Sequence, residues 1–256
     1  DAFVGAKNFT TKIWNAARFI KMEWEKLPQE KKAGLEITHW SDAWILNEIN
    51  GLIQETQKAL ENLDASRAVR KTYDVFWSQF CDWYIEIAKY RLGSYPKKPI
   101  GVLVHCLDAL LKLLQPAMPF VTHEINRHME SVFPAIEEPP SFRHAREGGH
   151  PDPGSGPGLV VVSRLRGNDE KELLGLKPFP KKFTLDPQMI QAASRQWTGF
   201  HNLVNEIRSL KADLHIQSNE IVNIKLEYKP AQPGSTIGGL QDDGRLVEKL
   251  AGCKIE

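Results

Sequence analysis

The N-terminal residues repeat apolar and polar positions with the period of an α-helix. At about 100° per residue, a helix predicted from Phe3 to about Trp24 has one apolar side, made of Phe9, Ile13, Ala16, Ala17 and Ile20. The opposite side carries Lys7, Thr11, Trp14, Asn15, Arg18 and Lys21. An aromatic residue among basic and amide side chains is unusual on a solvent-facing side, so this polar face is a candidate binding surface.

Four further amphipathic helices are predicted before residue 134. The second has Ser41 or Asp42 as its N-cap, and its buried stripe is Ile45, Ile49, Leu52, Ile53, Thr56 and Leu60. The third is capped by Asp64 or Ser66, and its apolar seam is Val69, Tyr73, Phe76, Phe80, Trp83, Ile87 and Tyr90. A fourth helix is predicted from Ile100 to about Gln115, and Thr122 is the predicted cap of a fifth over 122–133. Short breaks between long amphipathic helices predict an antiparallel bundle.

A small α/β unit is predicted after a region rich in proline and glycine. Asp186 and Pro187 form a strong helix start, and the inward residues that follow are Ile190, Trp197, Phe200, Val204, Ile207 and Leu210, with the helix ending near Leu214. A strand over Ile221–Tyr228, a helix over Gln241–Leu250 and the terminal CKIE complete this unit. We therefore expect a mainly α protein with a helical bundle over 1–138, a linker over 139–182 and a small α/β domain over 183–256.

Composition and charge limit the classes of function. The chain is 41% hydrophobic and 25% charged, which is ordinary for a globular protein. Its formal net charge of +1 excludes a bulk polybasic protein, so any contact with nucleic acid requires a local basic face. The three cysteines form no CxxC pair, which predicts reduced thiols. The chain has no initiator Met, no signal peptide and no apolar run near the roughly 20 residues that span a bilayer. We expect a fragment of a longer cytoplasmic protein without membrane association.

The sequence contains no catalytic motif that we can identify. GxxxxGK[ST], HExxH and GxSxG are absent. A metal-assisted enzyme using His144 and His150 is a weak alternative, because the surrounding glycines leave nothing to fix ligand geometry. The polar face of the first helix remains, since Arg and Lys neutralise phosphates and Trp stacks on unpaired bases. A solvated helix face, with Trp14 packed under a neighbouring loop, explains the same pattern, and the residues alone leave both interpretations open.

Four segments resemble the anticodon-binding helical domain of bacterial-type valyl-tRNA synthetases, a class I family. They are KNFTTKIWNAARF, SDAWILNEIN, YDVFWSQFCDWYIEIAKYRL and LLQPAMPFVTHEI. The third segment is similar to the valyl version in particular, whereas isoleucyl and leucyl enzymes share the WILN-like and MPF-like pieces. The strong match covers residues 1–133, and EIRSLKADLHIQSNEIV resembles the small α/β domain that follows the bundle.

The resemblance implies a role in holding tRNA. The parent enzyme would attach valine to its tRNA with ATP and magnesium, while its HIGH and KMSKS motifs and editing domain would lie upstream of Asp1. This segment would then have no catalytic residue, metal or cofactor of its own. In this family the helix bearing WNAARF lies by the anticodon loop, which implies a contact from Arg18 first. The other implied tRNA-binding residues are Asn15, Lys12, Trp14, Lys7, Lys21, His39 and Trp40.

The resemblance also implies a partner and leaves two alternatives. The partner is the tRNA for valine, and the parent is expected to be monomeric. One alternative is the anticodon-binding region of an isoleucyl- or leucyl-tRNA synthetase. The other is a helical protein-interaction module without RNA binding.

Residues 141–170 resemble a dispersed bacterial genomic repeat translated in frame. The segment reads SFRHAREGGHPDPGSGPGLVVVSRLRGNDE, and its four arginines are balanced by four carboxylates. Lengthening a surface loop costs only about 0.6 kcal/mol per doubling. We interpret the segment as an insertion that the fold and the binding surface do not need.

Deleting residues 141–170 and joining Pro140 to Lys171 is expected to leave the bundle and the α/β unit folded. The reason is that no amphipathic period runs through the segment, whose Gly and Pro residues disfavour a core element. Thermal melting and anticodon-dependent RNA binding of the full and shortened chains test this. A melting temperature lower by several degrees would show that Leu159–Val162 is part of the fold, and lost binding with intact folding would contradict the interpretation.

Overall fold

The computed structural model of the chain describes residues 2–28, 35–94, 99–129, 132, 179–217, 220–225 and 240–255. The helices of the bundle are α1 (Ala2–Glu25), α2 (Trp40–Glu61), α3 (Ala65–Asp74), a π-helix (Val75–Tyr84), α4 (Ile85–Ser94), α5 (Ile100–Leu114) and α6 (Pro119–His128). The C-terminal elements are α7 (Pro187–Asp213), β1 (Val222–Ile224), α8 (Leu240–Ala251) and β2 (Cys253–Ile255). The predicted mainly α class, with a bundle and a small α/β unit, is confirmed. The inserted segment lies outside the described residues, as do His144 and His150.

Helix α1 has the two sides that its sequence predicts. Its apolar stripe is buried in the main core at Phe9, Ile13, Ala16, Ala17 and Ile20. The stripe packs against α5, α6 and the π-helix, so the opposite side of α1 remains at the surface.

The N-cap of α2 lies two or three residues before the predicted one, which was Ser41 or Asp42. His39 is the N-cap, and its side chain accepts a hydrogen bond from the backbone N–H of Ser41. Asp42 lies in the first turn and accepts from the backbone N–H groups of Thr38 and His39, at 3.0 and 3.1 Å. Both backbone donors are therefore satisfied by a carboxylate inside the helix. Because His39 is the cap, the prediction of Ser41 or Asp42 was wrong.

Helices α3 and α4 and the π-helix between them form one continuous rod, and Asp64 caps its start as predicted. The π-helix bonds residue i to i+5 and so has more residues per turn than an α-helix. Its row of fully buried aromatic residues is Phe76, Phe80 and Tyr84. The α-helical pattern predicted Trp83 in place of Tyr84, which is the one-residue shift that a wider turn introduces.

The predicted seam of the rod is not one continuous stripe. Val69 and Tyr73, at its start, are 38% and 37% exposed. Toward the end of the rod, Trp83 of the π-helix and Ile87 and Tyr90 of α4 contact a second core formed with α7 and α8. The rod thus serves two cores, since Phe76, Phe80 and Tyr84 lie in the main core and Ile87 lies in the second.

Helix α6 begins earlier than predicted. Met118 is its N-cap and Pro119 its first residue, a position that proline favours because its φ is already helical. Thr122 lies one turn inside and donates its hydroxyl hydrogen to the Met118 carbonyl at 2.9 Å. The prediction that Thr122 caps this helix was wrong, since Pro119 supplies the start.

Contacts between side chains give the directions of the bundle helices. The start of α2 meets the end of the rod through Asp42 and Arg91, and its end meets the start of the rod through Glu55 and Lys71. These two helices are therefore antiparallel, as predicted. Helix α1 runs in the same direction as the rod, since Phe9 contacts Tyr73 and Phe19 lies near Lys89.

The C-terminal unit is a β–α–β arrangement joined to α7. Asp186 caps α7 and Pro187 is its first residue, as predicted. Strands β1 and β2 pair in parallel, with Val222 opposite Cys253. The predicted inward residue Leu210 is 56% exposed, while Lys211 is 6% exposed. Lys211 can be buried because its Nζ donates to the carbonyls of Glu220 and Gly252, at 2.6 and 3.0 Å.

Helix α7 docks the C-terminal unit onto the bundle. The Trp197 ring stacks on Trp44 of α2 with centroids 3.7 Å apart. Asn50 of α2 both donates to the Phe183 carbonyl and accepts from the Phe183 N–H, at 2.9 and 2.7 Å. The division of the chain between 138 and 183 stays a prediction, but the unit after it packs directly on α2.

A buried ion pair joins α2 to α4. Arg91 and Asp42 have side chains that are 1% and 0% exposed, and two guanidinium nitrogens donate to the two carboxylate oxygens. The Tyr84 hydroxyl also donates to Asp42, at 2.7 Å, and Arg91 donates to Thr38 at 2.8 Å. Burial lowers the pKa of Arg91, but the hydrogen bond and charge of Asp42 outweigh it and raise that pKa above its ordinary value. Arg91 therefore remains charged within the core.

Replacing Arg91 with alanine is expected to lower the free energy of unfolding by about 3–5 kcal/mol, because it leaves the Asp42 carboxylate buried without its cation. Lys71→Ala is the matched control, since the Lys71–Glu55 pair is 47% and 48% exposed and such pairs contribute about 0–1 kcal/mol. Urea denaturation measures both variants. Equal losses in the two would show that the buried pair is not a main support of the fold.

Candidate nucleic-acid interface

The outward side of α1 carries a line of polar side chains. Lys7, Thr11, Asn15 and Arg18 are all exposed, and their spacings of four, four and three residues place them along one side of the helix. Among the residues that the structure describes, the side chains of Lys7, Asn15 and Arg18 form no ion pair or hydrogen bond. Their donors and charges are therefore available to a ligand.

The C-terminal end of α6 borders one flank of this line. The Trp14 ring lies 5.5 Å from the His128 ring, at an interplanar angle of 35°. Lys21 donates from Nζ to the His128 carbonyl at 2.8 Å. Trp14 is partly buried and packs on the main core. It contacts the end of a helix, whereas the interpretation of a solvated helix face placed it under a neighbouring loop.

The π-helix borders the other flank of α1 and binds Lys12. The Lys12 Nζ lies 2.5 Å from Asp82 Oδ1 and 3.9 Å from the centroid of the Trp77 ring. The side chain of Lys12 is 25% exposed. Its charge is balanced by Asp82, so Lys12 contributes less net positive potential to the surface than Lys7 or Arg18.

The structure brings His39 and Trp40 together at the contact between α2 and α8. The His39 Nε2 donates to Asp243 Oδ1 at 3.1 Å, and the Trp40 Nε1 donates to Asp243 Oδ2 at 2.5 Å. The Trp40 ring also lies 5.4 Å from the Phe200 ring. These contacts connect the bundle to the C-terminal unit, so His39, the N-cap of α2, and Trp40, its first residue, have a structural role.

The cysteines are not suited to nucleophilic chemistry. Cys81, Cys106 and Cys253 are free and buried. Burial raises the pKa of the Cys81 thiol to about 12 and that of Cys106 well above its ordinary value. Both thiols are therefore protonated near neutral pH, when a thiolate would be needed for reaction.

The described residues contain neither a metal-binding cluster nor a membrane-spanning helix. In the described part of the chain, no group of three or more His, Cys, Asp or Glu side chains is placed to hold a metal ion. Within the same ranges, no helix is both long enough and apolar enough to cross a bilayer.

The α1 surface offers the chemistry that single-stranded RNA requires. Arginine and lysine bind phosphates, an asparagine amide pairs with a base edge, and aromatic rings stack on unpaired bases. The sequence predicted that these α1 side chains share one side, because the period of a single helix determines which residues lie on the same side. It missed His128, Asp82 and Trp77, since nothing in the local pattern shows that residues far along the chain will border α1.

Comparisons with known proteins show which family the chain resembles. Residues 42–226 match the family model described as the anticodon-binding domain of tRNA ligase. The chain is 30% identical over 253 residues to the valine–tRNA ligase of Thermotoga maritima, an alignment covering 96% of this chain and 24% of that protein. It is 29% identical over 260 residues to the enzyme of the same name from Rhodopirellula baltica, covering 100% of this chain and 22% of that protein.

A shorter match has a higher identity. The valine–tRNA ligase of Clostridium acetobutylicum is 39% identical over 135 residues, which is 51% of this chain and 15% of that protein. The chain thus spans about a quarter or less of the length of these curated relatives. Because the family model covers well over half of the chain, the protein belongs to the family of anticodon-binding domains of tRNA ligases.

Proposed function

We propose that this chain binds the anticodon region of the tRNA for valine through the outward side of α1. The observation that carries the proposal is the line of Lys7, Asn15 and Arg18, whose side chains are exposed and make no ion pair with described residues. Trp14 and Lys21 extend the line toward α6. A helix with cations and an amide on its free side fits phosphates and unpaired bases of a loop.

The contacts of each residue that the family resemblance implied support an order of candidates within this proposal. Arg18, Asn15 and Lys7 come first, because their side chains are exposed on the side of α1 opposite its buried stripe. Lys12 is a secondary candidate, because RNA would have to displace or share its bond to Asp82. His39 and Trp40 rank last, because Asp243 occupies their ring nitrogens.

The parent protein is proposed to be a valine–tRNA ligase. Similarity along nearly the whole chain to proteins of that name supports this assignment. On this proposal the parent couples valine to its tRNA with ATP and magnesium, while the present residues position the anticodon end. The family resemblance further suggests a monomeric enzyme of the cytoplasm.

Arg18→Ala is expected to weaken binding of valine tRNA by about 1–3 kcal/mol, the range for a lost contact to a base or phosphate. Its melting temperature should match the wild type, because the Arg18 side chain is exposed and has little packing to lose. Binding of the full chain to transcripts with native and altered anticodons, at matched low salt, measures the effect.

Arg195→Ala provides a matched control for the loss of one positive charge. Arg195 is exposed on α7, which packs on α2 rather than along α1. The Arg195→Ala variant should bind valine tRNA with nearly the wild-type affinity. Equal binding by the Arg18 variant and the wild type, or no dependence on the anticodon, would instead favour a protein-interaction module. A preference for isoleucine or leucine tRNA would reassign the parent.

A further inference from the structure

His128 is an exposed residue at the end of α6 that lies against the α1 surface. Its ring faces Trp14 at 5.5 Å between centroids. Its carbonyl accepts a hydrogen bond from Lys21 of α1 at 2.8 Å, and the Met129 N–H that follows bonds back to Ile125 at 2.9 Å. The backbone at the end of α6 is therefore anchored to α1, which places residue 128 beside Trp14.

The charged groups around His128 leave its ring without an ion-pair partner. On α6, Glu124 pairs with Arg127 at 2.7 Å, and that bond lowers the pKa of Glu124. On α5, which packs against α6, Asp108 pairs with Lys112 at 2.6 Å. On α1 the nearest cation is Lys21. Within the described ranges, no carboxylate lies at ion-pair distance from His128, so its ring is available to a ligand.

We propose that His128 and Trp14 form a platform on which one unpaired base of the bound RNA stacks. This inference rests on the proposed function of the α1 surface. Trp14 is one helical turn before Arg18, so a phosphate held by Arg18 would place the adjoining nucleotide beside the two rings. Aromatic rings next to backbone-binding cations are the usual arrangement for stacking unpaired bases without reading their sequence. His128 would be the accessible ring, because Trp14 is partly buried.

The test uses the full chain and a hairpin transcript carrying the anticodon stem and loop of valine tRNA. His128→Ala is expected to weaken binding by about fivefold or more, the lower end for one lost base–aromatic stack. His128→Phe keeps a flat ring and should retain most of the affinity. Phe120→Ala is the control on α6, because Phe120 is 89% exposed and is a large exposed side chain of the same helix. A duplex of the stem without its loop should bind all variants equally.

The outcomes separate this inference from the proposed function. If Arg18→Ala weakens binding while His128→Ala matches the wild type, the stacking inference is overturned and the proposed binding by the α1 surface is retained. If the phenylalanine variant is as weak as the alanine variant, stacking on residue 128 is overturned. If the wild type shows no preference for the hairpin with its loop, both ideas fail together. Circular dichroism melting of each variant shows whether a loss of binding reflects a loss of folding.

Discussion

The carboxylate of Asp42 is the point on which most of the architecture converges. It accepts bonds from the Arg91 guanidinium, the Tyr84 hydroxyl and the backbone N–H groups of Thr38 and His39. Three parts of the chain, namely the segment before α2, the π-helix and α4, thus share one buried anion. A buried charge is tolerated only when it is paired and hydrogen-bonded. The three parts must therefore all contact Asp42 when the core forms.

The same network continues from the bundle into the C-terminal unit. Ser41 accepts from Arg91 and contacts His39 Nδ1, at 3.3 and 2.8 Å. His39 and Trp40 then reach Asp243 of α8. A continuous set of polar contacts therefore runs from the core ion pair to α8, beside the Trp44–Trp197 stack. The α/β unit is positioned by this network and by α7 rather than by its two-stranded sheet alone.

The sequence predicted well what a single helix determines. The buried stripe of α1 and the exposed line of Lys7, Thr11, Asn15 and Arg18 follow from a period of 3.6 residues. Trp14, predicted on the same polar side, is instead partly buried beside α6. Predictions were wrong where another physical rule applied. The π-helix moved the buried position from Trp83 to Tyr84, Pro119 replaced Thr122 as the start of α6, and Lys211 was buried because loop carbonyls bind its ammonium group. Contacts between distant elements, such as Trp14 with His128, had no signal in the sequence.

On the proposed function, the arrangement also accounts for a surface that attracts RNA on a nearly neutral chain. The charged groups differ in whether they are already paired: Lys12 is bonded to Asp82 and Arg91 is buried with Asp42, whereas Arg18 and Lys7 are exposed without such partners. Because paired charges largely cancel beyond a Debye length of about 8–10 Å, the potential near α1 depends mainly on the unpaired cations. Attraction of a phosphate backbone therefore requires no excess of Lys and Arg over the whole chain. It requires that internal carboxylates pair with other cations, and the rigid bundle keeps those pairings in place while α1 faces the solvent.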